Sequence, residues 1–330
     1  MGKIRFWLNN ARSLSLPQSM LPALTAVALC YGSEAFSWTA ALVSIAGVAC
    51  MHLGLNLLDD WFDYRVGSAE ARQSVASEGF RGRIIKYPYL TSGQATHRQL
   101  LGAVGVFLTL AAACGVVIII LRGWQTLWWI AFALFLGVSY SGGPLKLGFR
   151  GLGELVIFIM FGPLLMTGVH FAVTGEVGWK IVLLSICVGL LVTNIVYSHS
   201  VLDAVPDMKM GKKTMAHLSS SPKGRLAMSA VFNFMPYIII VAGVAFDLLS
   251  PLYLIVFAVL PVCIWLWNSL KDFVTGKDIK PQPKWWMGPM GNFEAYRQHG
   301  IDWFMIRWLT ARNIVMFFCI IIIAVNLISN

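Results

Sequence analysis

Gly54-Leu55-Asn56-Leu57-Leu58-Asp59-Asp60-Trp61-Phe62-Asp63-Tyr64 closes an apolar run with one amide and three carboxylates. An α-helix turns once every 3.6 residues, so positions three or four apart share a face. Asn56 precedes Asp59, Asp60 and Asp63 by 3, 4 and 7 residues, which sets all four on one polar stripe. Ionised carboxylates about 6 Å apart on a helix repel each other, and exposing them to lipid costs several kcal/mol. The stripe therefore calls for a compensating cation. Its plainer reading is a solvated helix end lying just outside a membrane.

A second acidic segment ends a later apolar run: Asp203-Ala204-Val205-Pro206-Asp207-Met208-Lys209-Met210-Gly211-Lys212-Lys213-Thr214. Asp203 and Asp207 are one helical turn apart, and Pro206 favours a helix end there. The chain has only 15 acidic residues, so five of them in two short segments is a concentration that needs a reason. Two such helix ends facing one another across a cavity would present oxygen ligands alone. Oxygen-only sets suit Mg²⁺, which keeps several waters and bridges protein carboxylates to substrate phosphates. The lysine pair after Gly211 suits an anionic phosphate directly.

Hydrophobic residues make up 58% of the 330 and charged residues 12%, well below the roughly 25% charged of soluble domains. Several apolar runs reach the ~20 residues needed to cross a bilayer. The expected fold is all-α, a polytopic membrane bundle of about nine transmembrane helices. The expected spans are 17–33, 38–58, 99–121, 124–140, 152–173, 178–200, 224–246, 250–271 and 308–328. The net charge of +10 does not indicate nucleic acid, because it follows the membrane topology. With the N-terminus in the cytoplasm, 23 of the 25 Lys and Arg residues fall on that side, leaving Arg122 and Lys180 outside. This matches the positive-inside rule and puts both acidic segments on the cytoplasmic face of a cell (inner) membrane. Anionic lipid headgroups are the ordinary partners of such a surface. The six cysteines are scattered through the apolar runs with no C-x-x-C pair and read as small buried residues. Residues 1–31 are expected to be retained, since no cleavage site follows them.

The two acidic segments resemble the paired aspartate-rich motifs of the UbiA superfamily of intramembrane prenyltransferases, and most resemble its menaquinone-pathway (MenA-like) branch. Tyr140-Ser-Gly-Gly-Pro144, Gly148-Phe-Arg-Gly-Leu-Gly153-Glu154 and Ala11-Arg12-Ser-Leu-Ser-Leu-Pro17 carry the likeness further, over roughly residues 5 to 217. The resemblance implies transfer of a polyprenyl chain from an allylic diphosphate to an aromatic acceptor, with 1,4-dihydroxy-2-naphthoate as the branch's acceptor. It further implies that Asp60, Asp63, Asp203 and Asp207 bind one or two Mg²⁺, and that Lys212 meets the diphosphate. Asn56, Asp59, Lys213, Tyr140, Lys146, Ser92 and His199 are the remaining candidates for substrate contact. The chain departs from the branch at Asp59, where asparagine is usual, at Gly67, and around His199, Ser200 and Leu202. Those departures bear on the acceptor, not on the diphosphate chemistry.

The whole chain, 1–330, reads as one membrane-embedded domain, with cytoplasmic loops at 64–98 and 203–222. In the resemblance the first of these covers the site. Thr96 is placed to cap the next helix. Glu154 is expected near the site, pairing with Arg150. Residues 272–307, rich in Lys and Trp, suit the membrane interface. His52 sits one turn above Asn56, where an ordinary hydrogen bond inside the bundle is the plain reading. Other acceptors stay open (4-hydroxybenzoate, a tetrapyrrole, a lipid headgroup), as does a cation-coupled transporter.

Overall fold

A computed structural model describes residues 2–65, 87–209, 211–277 and 280–329. The stretch 66–86, which holds most of the expected covering loop, lies outside the described residues.

Apolar runs become helices where the sequence places them. Among the described residues, seven are long and apolar enough to cross a membrane: α3 (Trp38–Arg65), α5 (His97–Arg122), α7 (Gly153–Thr174), α8 (Trp179–Leu202), α10 (Pro222–Ala245), α11 (Pro251–Val274) and α13 (Asp302–Ser329). Two further expected spans are apolar but shorter, α2 (Pro17–Cys30) with 14 residues and α6 (Thr126–Ser141) with 16. At a rise of 1.5 Å per residue those two cover about 21 and 24 Å, short of the ~30 Å hydrocarbon core. Short helices occupy the connections: α1 (Lys3–Asn10), α4 (Pro88–Thr91), α9 (Ala204–Lys209) and α12 (Phe293–Gln298).

Local chemistry fixes the ends and the bends. Thr96 caps α5 as expected: its Oγ1 accepts from Gln99 N at 3.3 Å, and Gln99 Oε1 accepts from Thr96 N at 2.9 Å. Pro163 interrupts α7, and the turn Met160–Leu164 widens to a π-helix there.

Helix α8 is the hub, with 72% of its apolar window buried, against 22% for the peripheral α5. A Cβ on Gly162 of α7 would stand 2.5 Å from Gly189 Cα and 2.6 Å from Ser185 O, so the backbones of α7 and α8 touch. Small residues allow this close approach, which is the main packing device inside a bilayer. On its other side α8 meets α10 through a buried amide pair, with Asn194 Nδ2 donating to Asn233 Oδ1 at 2.9 Å. Such an interhelical bond is worth about 0.6–2 kcal/mol in a bilayer.

The two ends of the bundle differ in charge. Arg122 donates to the carbonyls of Ala35 and Ala172 at 2.8 and 2.9 Å, and Lys180 to the side chain of Asn326. The acidic segments lie at the opposite end, with a second apolar cluster of Leu53, Leu57, Tyr87, Tyr89 and Leu100 beside them.

Candidate active site

The last two turns of α3 carry the first acidic motif, and the required cation comes from the N-terminal segment. Arg12 adopts a left-handed backbone (φ 59°) between α1 and a 3₁₀ turn, which folds its side chain back onto α3. Its guanidinium donates to Asp59 Oδ2 at 3.1 Å, to Asp60 Oδ1, and to Asn56 O at 3.4 Å. Burial alone would lower the Arg12 pKa, but Asp60 and Asp59 outweigh it and the net shift is upward. Arg12 is thus a fixed positive charge. Asp60 is fully buried, and its Oδ2 accepts from the Tyr89 hydroxyl at 3.1 Å. Burial first, and Asp60 second, raise the Tyr89 pKa, so that proton stays on the phenol. Asp59 takes a further hydrogen bond from the Ser141 hydroxyl.

The second motif follows the end of α8. His199 Nε2 lies 2.9 Å from Asp203 Oδ2, and Asp207 sits on α9. Gly211 at φ +70° turns the chain back, where a side chain would be strained, so that Lys212 N donates to Asp207 O at 2.9 Å. The Lys212 ammonium rests 3.9 Å from Asp207 Oδ2. Two main-chain bonds, Gly151 N to Lys213 O at 2.9 Å and Lys213 N to Phe149 O at 3.3 Å, stitch this segment to the glycine-rich loop after α6. Buried Glu154 completes the junction, accepting from Ser200 Oγ at 2.8 Å and Met215 N at 3.2 Å. It does not pair with Arg150 as expected. Arg150 is exposed and donates instead to Pro144 O at 3.1 Å.

Both motifs open onto one cavity of about 710 Å³. Asp59, Asp63, Asp203, Asp207 and Lys212 line its polar end, with Asn56, Tyr140 and His199 beside them. Val43, Ile118, Trp129, Phe161 and Leu165 are among the apolar residues lining the rest. Tyr140 is held by close packing, since a Cβ on Gly148 would stand 3.0 Å from Tyr140 O. Among the aromatics of α6 and α7, Trp129 and Phe161 line the cavity, whereas Trp128, Phe132 and Phe135 are exposed.

Several candidates stand elsewhere. Of the adjacent acids, Asp59 faces the cavity while Asp60 is turned to Arg12 and Tyr89. Ser92 is exposed near the start of α5, Lys146 is half-buried on a left-handed turn, and Lys213 is exposed; none of the three lines the cavity. Among the described residues, no three His, Cys, Asp or Glu side chains gather closely enough to hold a metal ion unaided. Arg12, Tyr89, Ser141 and Ser15 are site residues that periodicity did not single out. Arg12 and Ser15 left a trace within the Ala11–Pro17 segment and Ser141 within Tyr140–Pro144, whereas Tyr89 left none.

Comparison with known proteins agrees with this geometry. The UbiA prenyltransferase family model matches residues 19–288. A 1,4-dihydroxy-2-naphthoate octaprenyltransferase of Bacillus subtilis is 27% identical over 279 residues, covering 83% of each chain. The enzyme of that name from Mycobacterium tuberculosis is 25% identical over 247 residues, 71% of this chain and 78% of its own. Among solved structures, an apo UbiA homologue from Aeropyrum pernix superposes with a TM-score of 0.62 at 17% identity, covering 96% of this chain and 98% of that one. A homologue from Archaeoglobus fulgidus, bound to DMAPP and Mg²⁺, gives 0.58 at 15% identity over 93% and 98%. At these identities the structures establish the shared fold, and the family match establishes the chemistry class. The chain is a prenyl-transferring enzyme and belongs to the UbiA prenyltransferase family.

Proposed function

We propose that this enzyme transfers a polyprenyl chain from its allylic diphosphate to an aromatic acceptor in a Mg²⁺-dependent reaction, with 1,4-dihydroxy-2-naphthoate as the acceptor. The observation that carries this is the single cavity, with carboxylates from two helices distant in sequence and Lys212 at one end and apolar walls elsewhere. The named relatives from Bacillus subtilis and Mycobacterium tuberculosis support the naphthoate. A 2-carboxy-1,4-naphthoquinone phytyltransferase of Synechocystis, 25% identical over 64% of each chain, keeps a related naphthalene acceptor as the second reading. Membership of a prenyltransferase family removes the support for a transporter.

The residues present fit Mg²⁺. Asp59, Asp63, Asp203 and Asp207 are oxygen donors lining the polar end, and the lack of a ready three-acid cage among the described residues suits an ion that completes its shell with waters and substrate phosphates. These four would hold it, Asp59 while also engaged by Arg12 and Ser141; Asp60 does not line the cavity and is held by Arg12 and Tyr89. The bound ion supplies Lewis acidity at the phosphoryl oxygens of the leaving diphosphate. Lys212 adds a positive charge beside the departing diphosphate, which carries about three negative charges and takes the electron pair of the broken C–O bond. Trp129, Phe161 and the aliphatic wall exclude water, which would otherwise convert the allylic cation to an alcohol.

We further read the chain as one membrane-embedded domain, in the cell (inner) membrane, N-terminus inward and site toward the cytoplasm, where basic residues concentrate. Purified protein supplied with a prenyl diphosphate, Mg²⁺ and a panel of hydroxyaromatic acids tests the assignment. A prenylated dihydroxynaphthalene is the expected product, either keeping the carboxylate with release of a ring proton or losing it as CO₂. Diphosphate consumption with no prenylated aromatic would sink the acceptor, and no Mg²⁺-dependent consumption would sink the donor.

A further inference from the structure

His52 projects from α3 one turn before Asn56 and two turns before Asp59, about 10 Å along the helix from the acidic end. It lines the same cavity, with its ring edge toward Phe161 at 5.8 Å between centroids. Neither the metal site nor the diphosphate needs it. Its hydrogen bonds fix its protonation pattern. Ser15 Oγ lies 2.7 Å from Arg12 O, an oxygen that can only accept, so the Ser15 proton is committed there. Asn56 Nδ2 donates to Ser15 Oγ at 3.2 Å and to Ala11 O at 3.0 Å. The remaining contact, His52 Nε2 to Ser15 Oγ at 2.9 Å, must then run from an N–H on the imidazole. A neutral histidine with its proton on Nε2 leaves a lone pair on Nδ1. That Nδ1 is buried and has no hydrogen-bond partner among the described residues. A buried acceptor of this kind carries an uncompensated desolvation penalty until a donor reaches it.

We infer that His52 Nδ1 is the recognition point for a hydroxyl of the aromatic acceptor, oriented from behind by Ser15 and Asn56. This rests on the aromatic-acceptor reading above. The position suits it: the diphosphate leaves at the acidic end, and a ring seated between that end and His52 presents its carbon to the prenyl cation while its hydroxyl donates to Nδ1. Phe161 forms the wall of the same pocket. The Ser15 network holds the tautomer that accepts, so His52 selects for a free hydroxyl against an ether or a bare C–H.

The test compares a dihydroxynaphthoate with its two mono-O-methyl ethers in wild-type protein, His52→Leu, His52→Gln and Ser15→Ala, each titrated against both substrates. Wild type should prefer the free hydroxyl at one of the two positions by at least about a hundredfold in kcat/KM, up to the roughly 10⁴–10⁵ reached by sites that hydrogen-bond a substrate hydroxyl. That ratio should fall at least tenfold in His52→Leu and at least threefold in Ser15→Ala, with partial recovery in His52→Gln, whose amide oxygen can accept. The KM for prenyl diphosphate should stay within twofold throughout. An unchanged hydroxyl-to-ether ratio in His52→Leu overturns the inference. So does a raised diphosphate KM with acceptor selectivity intact, which would place His52 along the prenyl tail. Should His52→Leu fail to fold, Ser15→Ala and His52→Gln decide by the same ratio. A wild-type enzyme that prenylates none of the three hydroxyaromatics defeats the functional reading itself, a result distinct from failure of the variants.

Discussion

Replacing Arg12 by methionine tests how the first acidic motif is held. Methionine keeps an unbranched apolar stem and meets the same left-handed backbone cost, so the change chiefly removes the charged guanidinium. The Arg12 side chain is 21% exposed, while its partner Asp60 is 1% exposed and Asp59 15%. Without the guanidinium, Asp60 loses its ion pair with Arg12 and retains the hydrogen bond from the Tyr89 hydroxyl. Breaking a buried ion pair by removing one partner costs about 3–5 kcal/mol. Proton uptake sets a ceiling, because a carboxyl of ordinary value near 3.9 can be neutralised at pH 7 for about 4 kcal/mol, at ~1.4 kcal/mol per pH unit. The expected loss at pH 7 is therefore about 3–4 kcal/mol, measured by denaturant unfolding in detergent micelles. The deficit should shrink as pH falls toward 5, because neutralising the stranded acid becomes cheaper by ~1.4 kcal/mol per unit. Asp60→Asn in the Arg12→Met background should recover at least ~2 kcal/mol, since it removes the stranded charge. Unfolding within ~0.5 kcal/mol of wild type at pH 7, or strict additivity of the two substitutions, would refute the pairing as the support of this motif.

Further outcomes follow from the same geometry. Asp203→Asn and Asp207→Asn should each lower product formation by at least about a hundredfold while leaving the unfolding midpoint near wild type; retained turnover in both would remove them from the metal site. Chelation of divalent ions should abolish transfer and Mg²⁺ should restore it, with prenyl diphosphate consumption as the readout. Lys212→Met should raise the KM for prenyl diphosphate and leave that for the acceptor unchanged, because the ammonium lies at the acidic end of the cavity, where we propose the diphosphate binds. Gly162→Val should destabilise the protein by at least ~1–3 kcal/mol, since its new Cβ meets backbone atoms of α8 that cannot swing aside.

Helical periodicity made much of this legible. It located the apolar spans and put Asp63, Asp203, Asp207 and Lys212 at their tips, because span length and stripe spacing are local properties. It could not rank Asp59 against Asp60. Adjacent residues point about 100° apart on a helix, and which one meets the cavity depends on how α3 is rotated by its neighbours. Arg12 escaped for a related reason, since the left-handed turn that returns it to α3 has no periodic signature. Ser92 and Lys146 lie on turns whose direction the spacing does not fix, so their distance from the cavity was not readable. Glu154 was placed near the site correctly but given Arg150 as partner. Sequence proximity favoured that pair, whereas the fold offered Ser200 and the Met215 amide in a buried setting.

The stitching of Lys213 to Phe149 and Gly151 has a consequence for exchanging parts between relatives. The Gly148–Glu154 stretch and the Asp207–Met215 stretch share main-chain bonds, so neither can be transplanted alone without disturbing the register of the other. A chimera that imports both from one parent should keep its ammonium and carboxylates aligned. One that mixes parents should misplace Lys212 even when every side chain in the cavity is retained.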